Sequence, residues 1–539
     1  MVSIVKIGMG LALAGLVGVL AGQSVAPQPR RSNAQEPSVQ KGVSFASWWS
    51  GQYSSIEADR SLAELAETGA TWISLIVTGY QATHTATTID RSSERTPTDA
   101  DLVHTIEQAH ALGLQVMLKP HVDLPNEWES EYWRGDIGTE FSTEAEWEAW
   151  FASYRAFLEH YAALAQAHGV EQFCVGTELL GTTHREDDWR QVVAGVRAVY
   201  DGPLVYAALH SGEEVSITWW DAVDYIGVDA YYPLTGDVDH HPTIEELQQA
   251  WQVPKAILAN LVATYGKPVI LTEIGYRSHH GCSNHPWDSW IVSPLDVQEQ
   301  AYAYEAAFRE LFGQPWLAGT FWWAWYHDPF QSGPCDPSFT PHLKPAENVL
   351  RAGYGAAPRQ PQPALAADYD QTLDISLDGL TAGWQDWSWD GQVNVRAETR
   401  TFAGTRAIEA ELLPWGALSL WSEEAFSTDR YTWLEFYVLG ASPEPPNLAT
   451  MVDTVDGTRL YAVPVNDCRH IEEGPISDVE WRRVRIPLRD LNPEGLPLSR
   501  LTIQNRGGES VLFWIDEVRL VAAQEVARVF LPVVTKQVH

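Results

Sequence analysis

Two glutamates stand at the ends of apolar runs of the same make. Glu178 sits in QFCVGTELL (172–180) and Glu273 in PVILTEIGY (268–276), each directly after a threonine. A carboxylate at the end of a buried strand is costly unless it has a partner or a task. Hydrolysis of a glycosidic bond is a task that needs two of them. One carboxyl protonates the leaving oxygen, and the other attacks the anomeric carbon or activates a water. A separation of about 5–5.5 Å goes with retention of configuration, and roughly 6.5–9.5 Å with inversion. Two close carboxyls also split their pKa values, which keeps one protonated near neutral pH. The competing reading is structural, with each glutamate paired to a basic neighbour such as Lys119 or Arg277.

For both to reach one bond, the chain must bring them to a common face. From Gly42 to about Leu350, strand-like segments alternate with amphipathic helical ones. The strand candidates are VSFAS (43–47), WISLIV (72–77), LQVMLK (114–119) and QFCVG (172–176). They continue with LVYAA (204–208), YIGVDA (225–230), PVILT (268–272) and LAGTFWW (317–323). Eight such units predict an α/β fold, a closed (β/α)8 TIM barrel, followed by an all-β part. Helices are expected at Ile244–Tyr265 and Pro294–Phe312, among others, and the fifth connection, around Ile217–Val223, is short and weakly helical. In such a barrel the C-terminal strand ends converge on one mouth. Glu178 follows the fourth strand and Glu273 the seventh, so they face each other across it. No Gly-x-Gly-x-x-Gly follows a strand, which argues against a dinucleotide site. The absence of a Gly-x-Ser-x-Gly elbow weakens an esterase reading.

Other strand-end residues are read the same way. Lys119, His121 and Asp123 alternate in LKPHVD after the third strand and are candidates for hydrogen bonds to sugar hydroxyls. Asp229 and Tyr231 close the sixth strand. Trp48 follows the first, and Trp323 and Trp325 close the eighth, where each could floor a sugar ring. Trp133 and Arg134, in the loop after the third strand, are candidates for a cleft wall. A lone His-x-Asp pair offers too few ligands for a metal, so neither metal nor cofactor is expected. Of the four cysteines, Cys174 lies within a strand as a buried thiol. Cys282 and Cys335 fall in long loops and could pair, and Cys468 is the fourth.

Composition narrows the partners. Acidic residues number 71 against 35 basic ones, a formal charge of −36, which disfavours nucleic acid and anionic membranes. The 25 tryptophans suit the apolar C–H faces of a polysaccharide or oligosaccharide, although most tryptophans in any protein serve the core. The run MVSIVKIGMGLALAGLVGVLAGQSVA reads as a signal peptide (1–26); its apolar part, Ile7–Ala21, is short for a membrane span, with an uncleaved anchor as the alternative, so the mature protein is expected to be extracellular. A linker (27–40) leads to the barrel (41–354). GAAPRQPQPALAAD marks a second linker (355–369), before a β-sandwich of jelly-roll type (370–522) and an apolar tail (523–539). The oligomeric state stays open.

Taken together, the barrel motifs resemble the glycoside hydrolases of clan A, and most closely the family 113 β-mannanases. KGVSFASWW, TGATWISLIVTGYQ, TPTDADL, GLQVMLKPHVD, WRGDI, VGTELL, DYIGVDAYYPL, KPVILTEIGYRS and GTFWWAW carry the resemblance, over about residues 41–330. It implies Glu178 as acid/base, Glu273 as nucleophile, a hydrogen bond from Tyr231 to that nucleophile, and a retaining mechanism on β-1,4-mannan or a related β-glycan. One position departs from the clan, whose usual residue before the acid/base is an asparagine that contacts the sugar 2-hydroxyl. Thr177 stands there. The alternatives are another β-glycosidase of the clan, exo-acting or a glucanase, and a non-catalytic glycan-binding barrel. The presence of both glutamates argues against the last. GWQDWSWD (383–390), with FWIDEVRLV (513–521), resembles the jelly-roll carbohydrate-binding modules of secreted glycanases.

Overall fold

The computed structural model describes residues 39–125, 131–236, 240–359, 369–471 and 474–523. The expected signal segment (1–26), residues 27–38 and 360–368 of the two linkers, and the tail beyond Ala523 lie outside them. The strands are β1 (Gln40–Ala46), β2 (Trp72–Gln81), β3 (Gln115–Asp123), β4 (Gln172–Thr177), β5 (Leu204–Leu209), β6 (Tyr225–Asp229), β7 (Val269–Ile274) and β8 (Leu317–Tyr326). Each pairs in parallel with the next, and β8 returns to β1, so the sheet closes. Both faces of a closed parallel sheet are covered, which is why these strands read as continuous apolar runs. All ten residues of β2 are buried.

The helices α1 (Ile56–Ala66), α2 (Asp99–Ala111), α3 (Glu144–Ala167) and α4 (Glu186–Arg197) start where the sequence supplies caps. Thr98 with Asp101, and Thr143 with Glu146, form capping boxes that satisfy free N–H groups at the starts of α2 and α3. The α3 stripe of Trp147, Trp150, Phe151, Tyr154, Phe157, Leu158 and Tyr161 packs into the shell between helices and strands. The fifth connection holds only the single turn α5 (Glu213–Ser216) and a 3-10 turn at Trp220–Ala222. The helix expected over Ile244–Tyr265 is two, α6 (Ile244–Ala250) and α7 (Gln252–Tyr265). Pro254 explains the break, because its ring clashes with the carbonyl four residues back, at Ala250. The next helix, α8 (Val297–Leu311), begins later than expected because the Asp296 side chain caps it. The helix α9 (Pro345–Tyr354) completes the shell. Inside the barrel, Trp72, Met117, Cys174, Val205, Ile270 and Phe321 fill the interior.

The C-terminal part is wholly antiparallel. Its long strand Ala407–Phe426 pairs through its first half with Val511–Ala523 and through its second with Leu498–Asn505. The strands enclose a core that includes Leu412, Leu418, Leu434, Phe436, Ile486 and Phe513. Phe330, from the loop after β8, is packed into that same core. In the same loop Cys335 is bonded to Cys468, while Cys282 and Cys174 are free and buried. Cys335 therefore does not take Cys282, the partner that the loop positions had left open. The bond joins barrel to sandwich, and Cys282 is packed into the barrel's own shell. The Arg60 guanidinium adds hydrogen bonds to the Asp490 carbonyl and carboxylate, at 3.0 and 3.3 Å. Among the described residues, no helix is long and apolar enough to cross a membrane.

Candidate active site

The strand register places Glu273 beside Asp229, the last residue of β6. Its side chain is only 6% exposed, and both of its oxygens are engaged. Lys119 Nζ donates to Oε1 at 2.5 Å, and the Tyr231 hydroxyl donates to Oε2 at 2.6 Å. Lys119 is itself fully buried and also reaches Asp229 Oδ1 at 3.2 Å. The Thr272 hydroxyl holds that same Asp229 oxygen at 2.7 Å. Burial alone would lower the Lys119 pKa, but the carboxylates of Asp229 and Glu273 outweigh it and raise it. Two carboxylates share this one cation, and Asp229 is pushed up to about 7, first by burial and then by the charge of Glu273.

Glu178 directly follows β4 with φ of 53°, the left-handed region that is uncommon outside glycine, and its N–H donates to the Ala207 carbonyl at 2.9 Å. Its carboxyl meets Arg134 Nη1 at 3.7 Å. Arg134 Nε also pairs with Asp123 at 2.7 Å, and its Nη1 donates to His121 Nδ1 at 3.2 Å. Because arginine only donates, His121 Nδ1 must accept, so its proton sits on Nε2, 3.8 Å from Glu273 Oε1. Burial, then the charges of Arg134 and Lys119, keep the His121 pKa well below its ordinary value. The floor therefore holds four carboxyls (Asp123, Glu178, Asp229 and Glu273) against two cations. Like Asp229, Glu178 is driven well above the ordinary carboxyl range, by burial and then by the charge of Asp229, with Glu273 adding to it, and of the two only Glu178 lines the cleft.

Over this floor opens a cleft of about 650 Å³. Glu178, Glu273, His121, Tyr231 and Trp323 line it as expected, with Trp133 and Arg134 on its wall. Gly275 permits the close approach of β7 and β8 here, since a Cβ on it would lie 2.3 Å from the Trp323 carbonyl. Five candidates, Trp325 among them, are placed elsewhere. Lys119 and Asp229 have no exposed surface and cannot touch a sugar. They act on Glu273 from beneath. Asp123 is engaged by Arg134. Trp48 stands behind Trp323, ring centroids 6.3 Å apart at 67°.

Trp325 is the clearest correction. Val43 of β1 faces Trp322, but Phe45 faces Trp325, so β8 carries one extra residue at this point. Such a bulge inverts the alternation beyond it. Trp325 is turned outwards, its indole N–H donating to the Ser61 hydroxyl of α1 at 2.9 Å and its ring stacked on His342 at 4.2 Å. Sequence reasoning also missed His210, Trp287, Trp290 and Phe339, which all line the cleft. His210 directly follows β5, so the strand-end rule applied to Lys119 and Tyr231 reaches it too. Trp287 and Trp290 lie in the long connection from β7 to α8, where HPWDSW offered only its aromatic content. Phe339 carries no comparable signal.

An eight-stranded barrel with two glutamates at one aromatic mouth defines a glycoside hydrolase, and comparison with known proteins gives the family. The chain belongs to Glycoside Hydrolase Family 113, whose sequence profile matches residues 44–338. Among solved structures it is similar to a family 113 β-1,4-mannanase at 28% identity, over 59% of this chain and 99% of that one, with a TM-score of 0.53. It is also similar to the β-mannanase AaManA from Alicyclobacillus acidocaldarius in complex with ManMIm, at 32% identity over 59% of this chain and 97% of that one, TM-score 0.53. No curated protein matches the chain. A family 29 carbohydrate binding module complexed with mannohexaose matches 28% of this chain and 92% of its own at 16% identity, TM-score 0.21, a likeness too slight to argue from.

Proposed function

We propose that this protein is a secreted, retaining hydrolase of β-1,4-mannan or a closely related β-glycan. The difference between the two floor carboxyls carries the reading. Glu178 is driven towards its protonated form, whereas Glu273 accepts hydrogen bonds at both oxygens from Lys119 and Tyr231. Glu178 gives its proton to the glycosidic oxygen as that bond breaks, while a Glu273 oxygen bonds to the anomeric carbon. Glu178, now ionised, takes a proton from water, which attacks the same carbon and frees Glu273. Trp323, Trp133, Trp287 and Trp290 supply apolar faces for successive sugar rings. The similar family 113 structures are those of β-mannanases, which supports mannan over other β-glycans. Export is supported by the apolar run Ile7–Ala21 behind a single Lys6.

The C-terminal domain is read as a glycan platform. Trp387 is half exposed, stacked on Trp421 at 5.1 Å, and Trp415 is similarly open. Incubation with mannan, glucomannan, xylan and cellulose, with the product anomer followed by NMR at early times, tests the enzyme reading. Mannan or glucomannan should yield the β-anomer first. Initial α-anomer would overturn retention, and hydrolysis of xylan or cellulose alone would overturn the substrate.

A further inference from the structure

Outside the cleft floor, His241, His280, Asp296 and Glu299 form a compact group, with one donor atom from each lying within 4.8 Å of all the others. Three separate segments supply them. His241 precedes α6, His280 stands in the loop after β7, and Asp296 and Glu299 flank the start of α8. The proposed hydrolysis uses none of them.

The pairwise distances fit a small cation. His241 Nδ1 lies 3.2 Å from Asp296 Oδ2, and His280 Nδ1 lies 3.6 Å from Glu299 Oε2. Four donors held at about 2.0–2.1 Å from one tetrahedral ion stand about 3.3–3.4 Å apart. The other four pairs lie within 4.8 Å, and His241, whose side chain is 71% exposed, has room to turn towards the other three donors. The group also has the outer contacts that orient ligands. Asp296 Oδ1 accepts the N–H groups of Gln298 and Glu299, which leaves Oδ2 turned to His241. Glu299 is steered by the N–H groups of Gly281 and Ser283 and by the Ser283 hydroxyl. His280 Nδ1 is buried without a hydrogen-bond partner. The two imidazole rings lie 4.1 Å apart. Two imidazole nitrogens with two carboxylate oxygens suit zinc-class ions and suit calcium or magnesium poorly.

We infer that these four residues bind one divalent transition-metal ion of the zinc class, in a structural site. Its place gives it a task. The N–H of His280 donates to the Pro294 carbonyl at 2.8 Å, and that of Asp296 to the Ser278 carbonyl at 3.0 Å. His280 and Asp296 are therefore the two stems of the loop that carries Trp287 and Trp290 over the cleft. The ion clamps those stems to His241 and steadies the aromatic wall without entering the reaction.

The test uses the full-length, tag-free protein after chelator treatment, titrated with Zn²⁺ by calorimetry and with Co²⁺ by visible absorption. One equivalent of Zn²⁺ should bind and raise the melting temperature, and Co²⁺ should give the intense bands of a four-coordinate site. His241→Ala, at an exposed side chain, should weaken Zn²⁺ at least tenfold, and His280→Ala more. Absence of saturable Zn²⁺ binding, or equal affinity in wild type and His241→Ala, overturns the inference. Neither readout depends on glycoside hydrolysis.

Discussion

The Tyr231 hydroxyl donates to Glu273 Oε2 at 2.6 Å from the end of the neighbouring strand, while Lys119 holds Oε1 from below. The carboxylate is thus fixed before any sugar arrives. Tyr231→Phe keeps the ring on the cleft wall and removes one hydrogen bond to a charged group, an interaction of about 1.5–3 kcal/mol. If that bond orients the attacking oxygen, kcat falls roughly 10- to 100-fold while KM changes little. Steady-state kinetics on a mannooligosaccharide checks this, and an unchanged kcat would remove Glu273 from the reacting position.

Glu178 acts as an acid only while protonated. Burial, with Asp229 and Glu273 nearby, holds its carboxyl well above the ordinary range. Activity should therefore be full below that raised pKa and decline as the pH rises through it. Glu178→Ala should lose this alkaline limb and about 10²- to 10⁴-fold in rate. With an aryl β-mannoside whose leaving group needs no proton, azide should restore turnover of the variant and give the β-glycosyl azide. An alkaline limb that persists in Glu178→Ala would assign the acid elsewhere.

Lys119 is the cation that Asp229 and Glu273 share. Lys119→Met leaves Asp229 and Glu273 adjacent in a buried space with no cation between them. Removing one partner of a buried pair costs about 3–5 kcal/mol. Chemical denaturation should show that loss, and the double variant Lys119→Met, Asp229→Asn should recover part of the stability without recovering activity. A stability unchanged by Lys119→Met would show that the carboxyls take up protons at no cost.

Two neighbouring tryptophans should separate binding from folding. Trp323→Ala removes a ring from the cleft and should raise KM with little change in melting temperature. Trp325→Ala empties a packed site between β8 and α1 and should cost about 3–5 kcal/mol of stability, with KM unchanged in the folded protein. Thermal melts and kinetics on both variants check the assignment, and a KM effect from Trp325→Ala would contradict the outward turn of its side chain.

The same pair shows what the sequence could convey. Strand periodicity located all eight barrel strands, because runs such as WISLIV and PVILT are apolar on both faces, as a covered sheet requires. It also located Glu178 and Glu273, since a charge that ends such a run stands out. Periodicity fails where one extra residue enters a strand, and the bulge in β8 is invisible in GTFWWAW. Depth is equally hidden. Lys119 and His121 alternate alike in LKPHVD, yet one is sealed beneath Glu273 and the other lines the cleft. Trp287 and Trp290 lie in a connection with no period at all, and the partner of Cys335 was set by the docking of a second domain, which local spacing does not encode.

That docking supplies the last prediction. Cys335 and Cys468 are 133 residues apart, and they join the loop after β8 to the antiparallel domain. Closing a loop of that length removes unfolded-chain entropy worth about 5 kcal/mol, with measured losses on removing a native disulfide typically about 2–5 kcal/mol. Phe330 and the Arg60–Asp490 contact remain when the bond is absent, so the domains should stay together in the folded state. Cys335→Ser with Cys468→Ser should therefore lower the melting temperature while leaving kcat on short oligosaccharides unchanged, because the bond lies outside the cleft lining. Calorimetric melts with parallel kinetics give both numbers. A fall in kcat at temperatures where the variant is folded would mean that the second domain shapes the active site, not only the stability of the chain.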